Sequence, residues 1–202
     1  MSAPRFLAMA LVSCLGCLPG AAALAADATP KDAGLYLSSP GKDGEAALVK
    51  LRGAMPSMKQ KGIVKAMLLM GHSKPTMLAE LSGDKSEVRA TGGSPTFTIY
   101  LPPSSGGMDD AMRMATGDAP PAQARNGAEF VLVRLHPKDG NRETEVGEQK
   151  GQHTKDTVPC SSESLGGSRF RVTPKEALAA GEYAFYWGQN GFGGILWDFG
   201  VD

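Results

Sequence analysis

The end of the chain constrains the fold more than any other stretch. Residues 181–202 read GEYAFYWGQNGFGGILWDFGVD and place large apolar residues at every second position on either side of a glycine-rich loop. Successive side chains of a strand point to opposite faces, so this period of two is typical of strands. The residues that share a face with their neighbours are Tyr183, Phe185 and Trp187 before the loop, and Ile195, Trp197, Phe199 and Val201 after it. The stretch therefore predicts an amphipathic antiparallel hairpin.

Two other interpretations of this ending fail. Asp198, Phe199 and Gly200 match the kinase Asp-Phe-Gly tripeptide, but the sequence lacks the His-Arg-Asp loop, the glycine-rich loop and the strand lysine that a kinase needs. The glycines of residues 188–194 lack the spacing of a dinucleotide-binding fingerprint, and no helix can follow them. The alternation places Asp198 on the face opposite the aromatic residues, toward solvent or a turn.

The rest of the chain has the same character. The 26 glycines and 14 prolines separate short apolar stretches, which is typical of a turn-rich β domain. Ten stretches have strand character, namely residues 34–38, 47–52, 77–81, 87–90, 96–101, 129–136, 142–147, 168–173, 183–187 and 195–201. We predict a mainly β fold, an antiparallel β-sandwich of immunoglobulin-like or related type, with little helix.

Only two stretches are candidates for helix. Residues 63–70 fit a short helix or a buried strand, and residues 109–115 fit one or two helical turns. Residues 129–147 predict a hairpin with a polar turn at 136–141.

The chain divides at a segment rich in Pro, Gly and Ala, residues 102–127. It would connect an N-terminal β-rich half, residues 26–101, to a C-terminal sandwich half, residues 128–202, and the two halves can also form one domain. A second long connection is predicted for residues 148–167.

The first residues predict export. Arg5 precedes an apolar run that ends at Pro19-Gly20, and Ala23-Leu24-Ala25 has the small-x-small pattern of a secretory cleavage site. Residues 1–25 are therefore a predicted signal peptide. The protein would act in the periplasm or be secreted, with no membrane-spanning segment after cleavage. The alternative is a lipoprotein anchored through Cys14, because residues 11–14 resemble a lipobox.

Cleavage would leave one of the three cysteines, Cys160, so no disulfide can form within the chain. That thiol would be buried, capped or paired with another chain. Basic and acidic residues are equal in number, 21 of each, which gives no electrostatic case for binding nucleic acid.

One short motif resembles a known structural device. Leu178, Gly181 and Tyr183 are similar to the tyrosine corner of immunoglobulin-like sandwiches, in which the tyrosine hydroxyl bonds back to the backbone between two strands. The resemblance covers roughly the last 35 residues. The paired cysteines of antibody domains are missing, so membership of that family does not follow.

The ending also resembles that of uncharacterised exported bacterial proteins, in which Gly-Glu-Tyr-Ala-Phe is followed by Asp-Phe-Gly-Val. Residues 181–185 and 198–201 carry this resemblance. It implies export and a β-rich fold, but no activity and no site residues.

Three weak candidate functions follow from single residue types. Exposed aromatic residues could grip a sugar or a peptide, and the candidates are Tyr100, Tyr186 and Phe192. Soft thioether ligands suit copper, and Met67, Met70 and His72 would converge if residues 63–70 are helical. A hydrolytic enzyme of unrecognised type is the third, although the sequence contains no Gly-x-Ser-x-Gly elbow. We expect a non-catalytic envelope or interaction module that needs no cofactor and binds an unknown protein or envelope component.

Overall fold

A computed structural model describes most of the region that follows the predicted signal peptide. It covers residues 29–40, 46–62, 67–68, 76–101, 108, 112, 116–117, 119–147, 151–188 and 194–202. The predicted signal peptide, most of both predicted helices and the loop at residues 189–193 lie outside these ranges.

The described residues form thirteen strands and one short 3-10 helix at Gly127–Glu129. In chain order the strands are β1 (Gly34–Pro40), β2 (Ala46–Lys50), β3 (Gly53–Ala54), β4 (Ser57–Lys61), β5 (Thr76–Ser82), β6 (Arg89–Ala90), β7 (Thr96–Tyr100), β8 (Val131–Lys138), β9 (Asn141–Glu145), β10 (Cys160–Gly166), β11 (Arg169–Pro174), β12 (Gly181–Gly188) and β13 (Gly194–Val201).

The strands make two sheets. The smaller has the order β10-β11-β7-β1-β2, and the larger has the order β3-β13-β12-β8-β9-β5-β4, with β6 also paired to β13. Among the described strands every pairing is antiparallel except that of β6 with β13. The predicted β-sandwich with little helix is therefore confirmed.

An apolar core lies between the two sheets. It joins Leu35 of β1 and Phe97 of β7 to the aromatic residues of β12 and β13. The rings of Phe97 and Phe185 meet edge to face at 4.8 Å between centroids, a geometry that aromatic pairs favour. The predicted C-terminal hairpin is formed, and its alternating aromatic face is the centre of the sandwich.

All ten predicted strands are present, but three others were missed. The strands β3 and β4 are short or mostly exposed, and β10 lies in the stretch predicted to be a connection. Strand β10 is at the edge of its sheet and exposed along most of its length, so its sequence CSSESLG shows no apolar alternation.

Both sheets draw strands from both predicted halves of the chain. The smaller sheet places β7 between β1 and β11, and the larger sheet places β5 beside β9. The two halves are interleaved in one sandwich, which favours the one-domain alternative for residues 26–101 and 128–202.

The predicted hairpin of residues 129–147 is formed by β8 and β9, but its turn is shorter than expected. Only Asp139 and Gly140 lie outside the strands, with φ angles of +51° and +77°. Positive φ at both central residues is the type I′ geometry that favours Asp-Gly. The predicted six-residue turn was wrong because polar residues 136–138 continue the strand at the surface.

The C-terminal hairpin is buried on both faces, not on one. A second apolar cluster, on the face of the larger sheet that points away from the smaller sheet, includes Ala184 and Tyr186 of β12 and Leu196 of β13. Tyr186 is only 4% exposed, so its expected exposure was wrong. Burial also raises the pKa of Tyr186 to about 12.

The hydrogen bond of a tyrosine corner is present. Tyr183 Oη donates to the carbonyl of Ala179 at 2.8 Å, Leu178 is buried, and Gly181 has a φ of +154°. The same sequence pattern, Ala-Gly-x-Tyr, also precedes β1, where Tyr36 Oη donates to the carbonyl of Asp32 at 2.7 Å. Each sheet thus has one strand whose start is fixed by a tyrosine bonded to the residue four positions before it.

Candidate functional site

The larger sheet extends beyond the smaller one. Of its strands, β6, β8, β12 and β13 contribute described residues to the core between the sheets. Among the described residues of this core, none belongs to β4, β5 or β9. We call the inward-facing side of β4, β5, β9 and the end of β8 the overhang.

Strand register shows which residues lie on the overhang. Leu132 of β8 lies in the core, and His136 shares its face because the period is two. His136 is paired with Glu143, Glu143 with Glu80, and Leu78 with both Glu145 and Lys59. Directly paired residues point to the same side. The overhang therefore presents rows of charged side chains where β12 and β13 present aromatic ones.

A cleft of about 560 Å³ lies on the overhang. This volume is within the range of small-molecule sites. The loop that follows β9 forms one wall through Lys155 and Asp156. The complete lining is Lys61, Gly62, Thr76, Leu78, His136, Glu143, Thr144, Glu145, Lys155 and Asp156.

Hydrogen bonds fix the wall to the sheet. Asp156 Oδ2 accepts from the backbone N–H of Glu145 at 2.8 Å, and the carbonyl of Asp156 accepts from the N–H of Arg134 at 2.9 Å. Thr154 Oγ1 donates to the carbonyl of Glu145 at 2.8 Å. The loop wall of the cleft is thus anchored to β8 and β9 by hydrogen bonds that involve their backbone.

Asp156 also orients His136. Its Oδ1 lies 3.1 Å from His136 Nε2, and the Asp156 side chain is 10% exposed whereas the His136 side chain is 52% exposed. Such a contact holds the imidazole ring in place. Histidine in this arrangement can accept a proton or donate a hydrogen bond to a bound molecule.

Ion pairs cross the overhang on both sides of the cleft. Lys59 Nζ lies 2.6 Å from Glu80 Oε2, and Lys155 Nζ lies 3.2 Å from Glu145 Oε2. Hydrogen bonding to Glu145 raises the pKa of Lys155. In the same way, hydrogen bonding to Glu143 raises the pKa of Lys138. Lys155 and Lys138 therefore remain charged at neutral pH.

Two arrangements of charge at the cleft are unfavourable or incomplete. Glu80 and Glu143 are directly opposite each other on neighbouring strands, an arrangement of like charges that is unfavourable in a sheet. Lys61, in contrast, has no ion pair among the described residues. On the reverse face of β9, the Thr144 hydroxyl is buried and has no hydrogen-bond partner within the described part of the chain.

A second charged cluster lies on the opposite face of the larger sheet, and it is fully paired. Glu182 accepts from Arg89, from Arg142 at 3.4 Å and from the N–H of Ser86 at 2.8 Å, and Arg142 also donates to Asp198 at 2.6 Å. Asp198 thus lies on the face that the alternation predicted, but its side chain is in an ion pair with Arg142 instead of pointing toward solvent or a turn.

This cluster also joins separate strands. Arg142 donates to the carbonyl of Gly83 at 2.9 Å, and Arg89 donates to Asp202 at 2.6 Å. The hydrogen bond from Arg89 lowers the pKa of Asp202. Because the guanidinium groups and carboxylates satisfy one another, we assign the cluster a structural role.

Only part of each site predicted from sequence lies among the described residues. Tyr100 is half-buried within β7, between β1 and β11, and Phe192 lies outside the described residues. Met67 is 76% exposed, but Met70 and His72 lie outside the described part of the chain. No group of three or more His, Cys, Asp or Glu residues suited to a metal occurs in the described ranges.

Cys160 is a free thiol on β10. Its Sγ lies 3.6 Å from the carbonyl of Val158, and burial raises its pKa to about 11. A thiol of this kind is a poor nucleophile at neutral pH.

Sequence reasoning missed the cleft entirely. His136, Glu143 and Asp156 belong to a hairpin and a loop in which charged residues are ordinary, and no spacing in the sequence links them to Lys61. The alternation of Glu143 and Glu145 was the one available signal, since it indicates a strand with one charged face.

Comparison of the chain with known protein families, with curated proteins and with solved structures found no match in any of the three. No helix in the described ranges has the length and apolar character needed to cross a bilayer.

Proposed function

We propose that the protein is an exported, non-catalytic binding module whose ligand site is the cleft on the overhang. The observation that carries the proposal is the cleft itself, a concave surface of about 560 Å³ with convergent polar groups. Most of the lining belongs to the paired strands β4, β5, β8 and β9, and such regular elements are the usual support for binding sites.

Export is supported by the signal-like N-terminus of the sequence. A polar cleft formed by charged, partly paired side chains suits a hydrophilic small molecule better than an apolar one. The periplasmic or secreted location and the absence of catalysis are parts of the same proposal.

Amide shift mapping tests the binding function. Labelled mature protein is titrated with hydrophilic molecules of several classes, each with one change in charge or polarity. We expect at least one class to shift the amides of Thr144, Glu145 and Asp156 in a saturable way. Saturable shifts at β2 or β10 alone would place the ligand site elsewhere and overturn the proposal.

The same samples test for catalysis. His136 with Asp156 has the form of the base half of a hydrolytic site, so each bound molecule is checked for chemical change after prolonged incubation. We expect it to be recovered intact. Conversion that is lost in His136→Asn would show an enzyme instead of a binding module.

Sequencing of the N-terminus tests export. We expect the protein recovered from outside the cytoplasm to begin at Ala26 or nearby. A blocked N-terminus at Cys14 would show the lipoprotein alternative, and an intact Met1 would contradict export.

A further inference from the structure

We propose that the cleft binds a small zwitterion, a free amino acid or a dipeptide, with its ammonium group at Glu143 and Glu145 and its carboxylate at Lys61. This inference rests on the proposed binding function and names the ligand class for that site.

Apart from Lys155, which is paired with Glu145, and Asp156 on the loop wall, the charges of the cleft lie on two strands. Glu143 and Glu145 lie on β9, Lys61 lies on β4, and β5 runs between them with Thr76 and Leu78 as the floor. Lys61 is paired with Thr76, two residues along β5 from Leu78, which is paired with Glu145. With strands about 4.8 Å apart and a rise of about 3.4 Å per residue, the Cα atom of Lys61 is about 12 Å from that of Glu145 and about 17 Å from that of Glu143. The cleft thus has a negative wall, a positive wall and a less polar floor.

The facing carboxylates at the negative wall favour the binding of a cation. Glu80 faces Glu143 directly across the two strands, and each carboxylate has one lysine partner, Lys59 for Glu80 and Lys138 for Glu143. An additional ammonium group at this wall would reduce the repulsion between the two carboxylates.

The positive charge of the other wall is that of Lys61. Lys61 lines the cleft and has no ion pair among the described residues, and a carboxylate is the natural partner of an ammonium group. His136 and Thr76 belong to the same lining, and their side chains are of types that can add hydrogen bonds.

The spacing of the walls sets the length of the ligand. An amino acid spans about 3.5 Å, and one charge-assisted hydrogen bond of about 2.8 Å at each end makes a bridge of about 9 Å. A dipeptide makes a bridge of about 12 Å, which matches the separation of Lys61 from Glu145, and the flexible side chain of Lys61 can shorten this distance for an amino acid.

The probes are chosen to separate the two charges. Glycylglycine carries both, N-acetylglycine carries the carboxylate alone, and glycinamide carries the ammonium alone. We expect glycylglycine to shift the amides of Thr144, Glu145 and Asp156 saturably and to bind at least about tenfold more tightly than either singly charged probe.

Two variants locate the walls, and each has a matched control. We expect Lys61→Gln and Glu145→Gln to weaken binding of glycylglycine by about tenfold or more each. Lys31→Gln and Glu163→Gln make the same changes of charge at exposed positions away from the cleft and should leave binding unchanged. Amide spectra without ligand verify that each variant is folded.

Other outcomes overturn the inference in distinguishable ways. Glycinamide binding as tightly as glycylglycine would show a site for cations and not for zwitterions. Saturable shifts with a neutral disaccharide such as cellobiose, and none with glycylglycine, would overturn the ligand class and leave the binding function standing. Wild-type affinity in both variants would place the zwitterion outside the two walls.

Discussion

The two parts of the inner face of the larger sheet differ in chemistry although they share one backbone geometry. Under the smaller sheet, β12 and β13 place Phe185, Trp197 and Phe199 at positions that are fully buried. On the overhang, β9 places Glu143 and Glu145 at positions of the same period. Where the smaller sheet covers these alternate positions, their side chains form a core. Where it does not, they form a solvated, charged surface.

The first prediction measures this difference directly. Phe185 is fully buried and packs on Phe97, so we expect Phe185→Ala to lower the free energy of unfolding by about 3–5 kcal/mol. Leu78 is half-buried on the overhang, and Leu78→Ala should cost about 1 kcal/mol. Urea unfolding measures both. Equal losses would show that the overhang is part of the core.

The second prediction concerns alkaline pH. The folded-state pKa of Cys160 is raised from 9.0 to about 11, so the unfolded chain loses this proton first. The stability due to this group is fully present below pH 9 and is lost as pH rises toward 11.

Paired measurements isolate that contribution. The difference in unfolding free energy between wild type and Cys160→Ser should be constant below about pH 9 and should shrink between about pH 9 and pH 11. Lys138 and Lys155 of the overhang also lose favourable charge in strong alkali, but both proteins share them. A constant difference throughout would contradict the burial of the thiol.

The third prediction tests the reverse face of an overhang strand. Thr144 alternates with Glu143 and Glu145, and its buried hydroxyl has no partner among the described residues. We expect Thr144→Val to raise the free energy of unfolding by about 1 kcal/mol, because it removes an unpaired polar group at nearly constant shape. A loss of stability in urea would show that the hydroxyl is hydrogen-bonded in solution.

The fourth prediction compares the two sheets through their tyrosines. Tyr183→Phe and Tyr36→Phe each remove one hydroxyl that donates to a carbonyl four residues earlier. We expect each to lower the free energy of unfolding by about 1 kcal/mol, measured in urea. A loss at Tyr183 without one at Tyr36 would restrict the tyrosine corner to the larger sheet.

Strand positions were readable from the sequence because most strands have a buried face. Phe97 and Ile99 alternate with polar residues, and the aromatic residues Tyr183, Phe185 and Trp187 of β12 recur at every second position; this period of two follows from the pleat. Strands without a buried face, such as β10, had no such signal. The burial of Tyr186 was missed because a half-buried strand and a fully buried one differ only in what packs on the second face.

The cleft could not be read from the sequence for a different reason. Lys61, Glu143 and Asp156 belong to a sheet edge, a central hairpin and a loop, and only the order of the strands brings them to one surface. A charged residue in a strand looks the same in sequence whether it is solvated, paired with a neighbour or lining a cleft.

The sequence by itself determined the class of fold, the aromatic hairpin and the tyrosine corner, because these depend on local periodicity and on a contact between residues four positions apart. The tertiary structure alone decided which faces are covered. Coverage depends on the relative extent of two sheets whose strands are distant in the chain. The larger sheet extends past the smaller one, so Glu143, Glu145 and Lys61 face a cleft instead of a core.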